Sequence, residues 1–118
     1  ITSVHTNYNK RAAIQRIVRA ALRVGGVSAS ELEEMIVEVI DLIVFVQRLK
    51  DGSRRIVSIS QVISDNGKPA FRDIYLYRYG LGIHECVGKV TDELKEKLRN
   101  NTLSELPNIS PFGGGSCV

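Results

Sequence analysis

The pair Asp51-Gly52 constrains the fold more than any other feature of this sequence, because Asp-Gly is among the strongest short signals for a tight β-hairpin turn. It follows a continuous apolar run, Leu42 to Val46, which is too short for a helix and typical of a strand buried on both faces. It precedes a segment that alternates between two faces, Arg54 to Ile63. We therefore expect an antiparallel hairpin around this turn.

A second turn extends the hairpin. Asp65-Asn66-Gly67 is typical of a tight turn, and the segment after it, Phe71 to Tyr79, places aromatic residues on one face and aliphatic residues on the other. Residues 42–79 therefore predict an antiparallel three-stranded meander. Residues 1–6 alternate over a shorter stretch and predict a short strand.

Three helices are predicted from apolar periodicity and capping residues. The first covers residues 9–24, with Asn9 as its N-cap and Gly25-Gly26 as its stop. The second covers residues 29–40 and starts at Ser28 or Ser30, and its apolar stripe comprises Leu32, Met35, Ile36 and Val39. The third covers residues 92–100 and starts at Thr91. The fold class is therefore α/β: a short strand, two helices, the meander and a short helix in one domain over residues 1–106, with residues 107–118 as a flexible tail.

Charge is segregated along the chain, although its 118 residues carry a formal net charge of only +3. The first 25 residues contain no acid and five cations: Lys10, Arg11, Arg16, Arg19 and Arg23. The next 25 residues are acidic overall. The spacing of the last three arginines puts them on one helix face. A basic face of this kind indicates contact with an anion, such as a nucleotide phosphate, a nucleic acid or an acidic subunit. The alternative is a helix face that is simply exposed to solvent.

The sequence lacks the motifs of several common functional features, namely phosphate-binding loops, metal sites, membrane spans and disulfide frameworks. No phosphate-binding loop of the GxxxxGK[ST] or GxGxxG kind occurs. His84 and Cys86 are separated by one residue, but no second pair completes a metal site, so no metal is expected. No apolar run approaches the roughly 18 residues of a membrane span. The two cysteines, Cys86 and Cys117, do not make a disulfide framework, and a reducing compartment is expected.

The remaining candidate site is the polar stretch Thr2-Ser3-Val4-His5-Thr6-Asn7, at the end of the predicted strand and just before the Arg-rich helix. Polar groups at the carboxyl end of a strand in an α/β protein lie where ligands bind. An imidazole there can contact a phosphate, and arginines on the next helix can neutralise phosphate charge in the same subunit or across an interface. The alternative is a surface or capping histidine.

This stretch resembles the end of the His box of the type II/IV secretion ATPases, in which a Thr-rich strand ends in His-Thr-Asn or His-Ala-Asn. The segment Lys10 to Val18, with Arg16-Ile17, resembles the helix that follows in that family. Residues 40–62, which contain Asp-Gly-Ser-Arg-Arg, resemble a hairpin of the CpaF-like branch, the pilus-assembly and conjugation ATPases. The chain thus resembles a C-terminal fragment of such an ATPase.

The resemblance implies the C-terminal part of a RecA-like P-loop ATPase domain. His5 is then the box histidine that senses or orients the γ-phosphate region, and Thr2 and Ser3 lie in its nucleotide-binding strand. Arg16 matches the helix arginine, for which catalysis, packing and a salt bridge remain open. Gln61 stands where the family usually has Glu. Because Walker A and Walker B lie upstream in the family, the 118 residues alone are not expected to hydrolyse ATP.

The resemblance also implies an oligomeric state, a cellular location and partners. The intact protein is expected to form a cytoplasmic homohexamer at the inner face of the cell membrane, where it uses ATP and Mg²⁺ and works with inner-membrane secretion or pilus platform proteins. The opening on Ile1, with no initiator Met, is expected to be a cut through the His box. The fragment alone is expected to hold no cofactor. The competing hypothesis is a small nucleic-acid-binding module that uses the basic helix 10–23, although that helix lacks interleaved aromatic residues and no nucleic acid is expected.

Overall fold

The computed structural model describes residues 2–6 and 9–101. Contacts divide the chain into two compact units, which are described separately below. Unit 1 comprises Ile1–Ile43 and Val62–Phe71, and unit 2 comprises Val44–Gln61 and Arg72–Val118. The predicted flexible tail, residues 107–118, lies outside the described residues.

The described part of the chain is mixed α/β, with three helices and a four-stranded antiparallel sheet. The helices are α1 (Lys10–Leu22), α2 (Ala29–Val39) and α3 (Asp92–Asn100). The strands are β1 (Leu42–Arg48), β2 (Arg54–Asp65), β3 (Lys68–Arg78) and β4 (Ile83–Cys86), in the spatial order β1-β2-β3-β4. The helices and the three strands of the meander therefore lie where the periodicity predicts them, with ends that differ by a few residues.

The helices start at the predicted capping residues. The Asn9 side chain accepts hydrogen bonds from the N–H groups of Arg11 and Ala12 at the start of α1. Ser28, rather than Ser30, caps α2 and forms a capping box with Glu31. These caps satisfy backbone donors that a helix N-terminus otherwise leaves unpaired.

The strand predicted over residues 1–6 is wrong for the part that the structure describes. Residues 2–6 have no regular secondary structure. Alternation alone does not make a strand, because a strand needs a neighbouring backbone to pair with. None of the described residues provides a hydrogen bond to this stretch.

The sheet contains a fourth strand, β4, that the sequence analysis missed. The turn before it is closed by the N–H groups of Leu81 and Gly82, which both donate to the carbonyl of Arg78, and Gly82 has a φ of +65°. Strand β4 then pairs antiparallel with β3, with Tyr77 opposite His84. Its four residues are too few to show a period, so its existence depends on the pairing with β3.

Strand β1 is an edge strand and is not buried on both faces as predicted. Phe45 is buried, whereas Leu42, Val44 and Val46 on the other face are exposed. A continuous apolar run predicts burial only if other elements cover both faces. No described element covers this face.

Unit 1 packs the two helices on a small apolar core. Ile14 and Val18 of α1 and Ile36 of α2 are buried together, and other apolar residues pack around them: Ile17, Leu32, Ile40, Ile43 and Phe71. The predicted α2 stripe is partly wrong. Met35 is 53% exposed and Val39 is 74% exposed, because α2 turns only the Leu32 and Ile36 side towards this core.

In unit 2, the segment after β4 packs against β3. Ile74 and Tyr75 are buried against Ile59, Cys86 and Val90. The N–H groups of Val87 and Gly88 both donate to the carbonyl of Ile74, at 2.8 and 3.3 Å. This segment therefore lies directly against the backbone of β3.

Cys86 is disulfide-bonded, which the sequence analysis did not predict. The other cysteine of the sequence, Cys117, lies outside the described residues.

Replacing Gly88 with Ala is expected to lower the free energy of unfolding by about 1–3 kcal/mol. The new Cβ would lie 2.3 Å from the carbonyl oxygen of Asp73. Gly80→Ala is the matched control, since a Cβ at Gly80 meets nothing within 4 Å. Urea denaturation measures both variants, and equal stabilities would contradict the close approach at Gly88.

Candidate functional site

The predicted His-box residues lie on the surface of unit 1. The side chains of Thr2, Ser3 and His5 are exposed. His5 makes no hydrogen bond or ion pair with any described residue. Its imidazole therefore has no structural task within the described chain and is accessible to a ligand. The last residue of the motif, Asn7, lies outside the described residues.

The N-terminus of α1, which follows the His5 stretch in sequence, is already closed by its own cap. Asn9 Oδ1 accepts from the Arg11 N–H at 3.0 Å and from the Ala12 N–H at 3.3 Å, and the Asn9 carbonyl accepts from the Ala13 N–H. These N–H groups are the donors that a helix N-terminus offers to an anion. A phosphate near this segment would therefore depend on side chains such as His5 rather than on the helix end.

Arg16 lies on the exposed side of α1, and no hydrogen bond or ion pair joins it to His5 or to any other described residue. Of the three roles left open for Arg16, the structure therefore supports neither packing nor a salt bridge within the described chain. The guanidinium is free to meet a charge supplied from outside it.

Unit 2 contains a polar pair that sequence reasoning missed. The Ser60 hydroxyl donates to Asp73 Oδ1 at 2.6 Å, across β2 and β3. Two residues earlier on β2, Ser58 is 1% exposed, and its buried hydroxyl has no hydrogen-bond partner among the described residues. The register set by the hairpin turn predicts this pair. A two-residue turn at Asn66-Gly67, counted back along both strands, places Ser60 opposite Asp73.

These groups do not assemble a hydroxyl nucleophile with a base. His84 Nε2 is 2.7 Å from the carbonyl oxygen of Ile56, which can only accept, so this nitrogen donates. The His84 ring also packs against Tyr77, with ring centroids 5.2 Å apart. The imidazole is therefore held by the sheet, and no described hydrogen bond joins it to Ser60. Nor does the described part of the chain contain a cluster of three or more side chains that could hold a metal ion.

Gln61 connects β2 to the start of α3. Its Nε2 donates to Thr91 Oγ1 at 2.8 Å, and its Oε1 accepts from the Thr91 N–H at 2.9 Å. Thr91 Oγ1 also caps α3 by accepting from the Leu94 N–H. The buried amide supplies both a donor and an acceptor, so this position has a structural role here rather than an acidic one.

Two exposed carboxylates are held in their charged form by local hydrogen bonds. The Ser28 N–H and hydroxyl, in that order of importance, keep the pKa of Glu31 below its ordinary value of 4.5. The Ser53 hydroxyl and then its N–H lower the pKa of Asp51 in the hairpin turn. Both carboxylates stabilise local structure, and neither marks a catalytic acid.

No protein-family model matches the sequence, and no curated protein matches it either. None of the described helices has the length and apolar character that a membrane crossing requires.

Replacing Gln61 with Leu is expected to lower the free energy of unfolding by about 1–3 kcal/mol, because the Thr91 N–H loses its acceptor. Gln47→Leu is the control on β1, where the exposed amide accepts a hydrogen bond from the Tyr79 hydroxyl. Its loss should stay below about 0.5 kcal/mol. Chemical denaturation compares the two variants, and an equal loss would show that Gln61 does not anchor α3.

Proposed function

We propose that this chain is the C-terminal part of a type II/IV secretion ATPase with a RecA-like core, and that it contributes a histidine that responds to the γ-phosphate. The intact protein works as a cytoplasmic hexamer at the inner face of the membrane. There it drives secretion, pilus assembly or conjugative transfer through inner-membrane platform proteins. The chain alone does not hydrolyse ATP, because the family's phosphate-binding loop and acidic boxes are missing from it.

The observation that carries this proposal is the state of His5. It is exposed, has no partner among the described residues, and comes four residues before the cap of a helix whose outer face is basic. A capping or structural histidine would be bonded, as His84 is to Ile56. An imidazole without such a bond can give its N–H to a phosphate oxygen and lose that contact when the γ-phosphate leaves.

The hairpin of the resemblance supports the proposal through its residue order and through the roles of its residues. Gly52 has a φ of +85°, and Asp51 Oδ1 accepts from both the N–H and the hydroxyl of Ser53. The Asp-Gly-Ser sequence is therefore what this turn requires. The hairpin residues therefore have a structural role, and the contact with phosphate is assigned to His5, near the start of the chain.

ATP and Mg²⁺ are the groups that the resemblance implies. Bound Mg²⁺ would neutralise charge on the β- and γ-phosphates. The described residues do not fit a Mg²⁺ site, because they contain no cluster of ligating side chains. The exposed imidazole of His5 and the unpaired guanidinium of Arg16 do fit phosphate oxygens, either in the same subunit or across a subunit interface.

Replacing His5 with Ala in the intact protein is expected to lower kcat for ATP hydrolysis at least about tenfold, while KM for ATP changes less than about threefold. The reason is that the contact acts on the γ-phosphate during turnover and adds little to nucleotide binding. A steady-state ATPase assay with purified protein measures both constants.

His84→Gln is the control, because a glutamine Nε2 can still donate to the Ile56 carbonyl, and its turnover should stay within about twofold of the wild type. Undiminished turnover of the His5 variant would overturn the proposal. An intact protein with no phosphate-binding loop upstream of Ile1 would overturn it as well.

A further inference from the structure

The outer side of α1 carries a basic stripe formed by Arg16, Arg19 and Arg23, which recur at spacings of three and four residues. All three side chains are exposed, and none makes an ion pair or hydrogen bond with a described residue. Arg23 is the C-cap of the helix. The fold therefore leaves three guanidinium groups unneutralised on one side of unit 1.

An exposed side of α2 carries an acidic stripe formed by Glu34 and Glu38, one helical turn apart, and the Glu34 side chain lies beside Gly67. Both are exposed and make no ion pair with a described residue. The neighbouring Glu31 is occupied by its cap with Ser28, so it belongs to the helix end rather than to the stripe.

Beside the acidic stripe lie the two apolar side chains of α2 that the core does not cover. Met35 and Val39 follow the two glutamates by one residue each and repeat the same spacing of four. They are 53% and 74% exposed. Contact with another protein would remove this apolar pair from water.

We propose that the basic stripe of one copy of this chain docks on the acidic stripe of a second copy. Arg19 and Arg23 are four residues apart, as are Glu34 and Glu38, so each pair spans about 6 Å along its helix and the two pairs match in length. Arg16, assigned above to phosphate oxygens, lies outside these matched pairs. Met35 and Val39 then lose water against the partner helix.

Charge and apolar exposure together favour a second copy over a nucleic acid. A nucleic acid would neutralise the arginines but would be repelled by Glu34 and Glu38 on the paired helix of the same unit. It would also leave Met35 and Val39 exposed. A second copy offers the acidic partner that the arginines lack and the basic partner that the glutamates lack.

The contact uses different surfaces on the two copies and is therefore head to tail. Such a contact generates either a closed ring or an open chain of subunits. Its closure as a ring of six rests on the proposed function, whereas the pairing of the two stripes rests on the charges of unit 1 alone.

Charge reversal tests the contact by sedimentation of the 118-residue chain in about 50 mM salt, where surface ion pairs are weakly screened. The wild type should self-associate, and its dissociation constant should rise at least about tenfold in about 500 mM salt. Arg19→Glu with Arg23→Glu should weaken association at least about 30-fold, and so should Glu34→Lys with Glu38→Lys. An equimolar mixture of the two variants should associate within about threefold of the wild type, because each supplies the charge that the other has lost.

The matched control is Arg72→Glu with Lys89→Glu. These are two exposed cations outside unit 1 that make no ion pair with a described residue. This pair makes the same change in net charge as the α1 reversal, so it separates a local contact from a general charge effect. Its dissociation constant should stay within about threefold of the wild type.

The proposal is overturned if the wild type stays monomeric, if the control weakens association as much as the stripe variants do, or if mixing the two stripe variants restores nothing. A monomeric wild type that binds duplex DNA through Arg19 and Arg23 would assign the basic stripe to nucleic acid instead. The His5→Ala chain should associate like the wild type. The ATPase assay therefore tests the role of His5, and sedimentation separately tests the contact between copies.

Discussion

The turn at Asn66-Gly67 is the constraint on which much of the described structure depends. Both residues have positive φ, +51° and +81°, as the tightest hairpin turns require. The turn sets the register of β2 against β3, and neighbouring residues of β2 then point to opposite faces. Ser60 accordingly reaches Asp73 across the ladder, while Gln61 points the other way and holds the start of α3. A slip of one residue would exchange the two faces and break both contacts.

Local signals in the sequence predicted the helices, their caps and the two turns of the meander, because each depends on residues only a few positions apart. Features that depend on distant neighbours were missed or wrong. Residues 2–6 alternate but find no pairing partner among the described residues, and β4 exists only because β3 pairs with it. Strand β1 is apolar on both faces, yet only Phe45 is buried. The same holds for the site: a motif of neighbouring residues marks His5 and Arg16, whereas the Gln61 contact with Thr91 joins residues 30 positions apart.

The groups to which a function is assigned here share one physical property, which is that the fold leaves them unsatisfied. His5 lacks the kind of bond that holds His84, and the stripes of α1 and α2 lack the ion pairs that their charges favour. By contrast, Asp51 accepts hydrogen bonds within its turn, Glu31 caps α2 with Ser28, and Ser60 donates to Asp73. A ligand phosphate and a second copy of the chain would supply the missing partners, and both fall on unit 1.

The central claim is that His5 responds to the γ-phosphate, and the two histidines of this chain allow a direct test. Histidine ring resonances of the intact protein can be compared with a non-hydrolysable ATP analogue and with ADP. The His5 signals are expected to move with the analogue and to return with ADP, while those of His84, held by the Ile56 carbonyl, stay in place. Identical His5 signals in the two nucleotide states would contradict a response of His5 to the γ-phosphate.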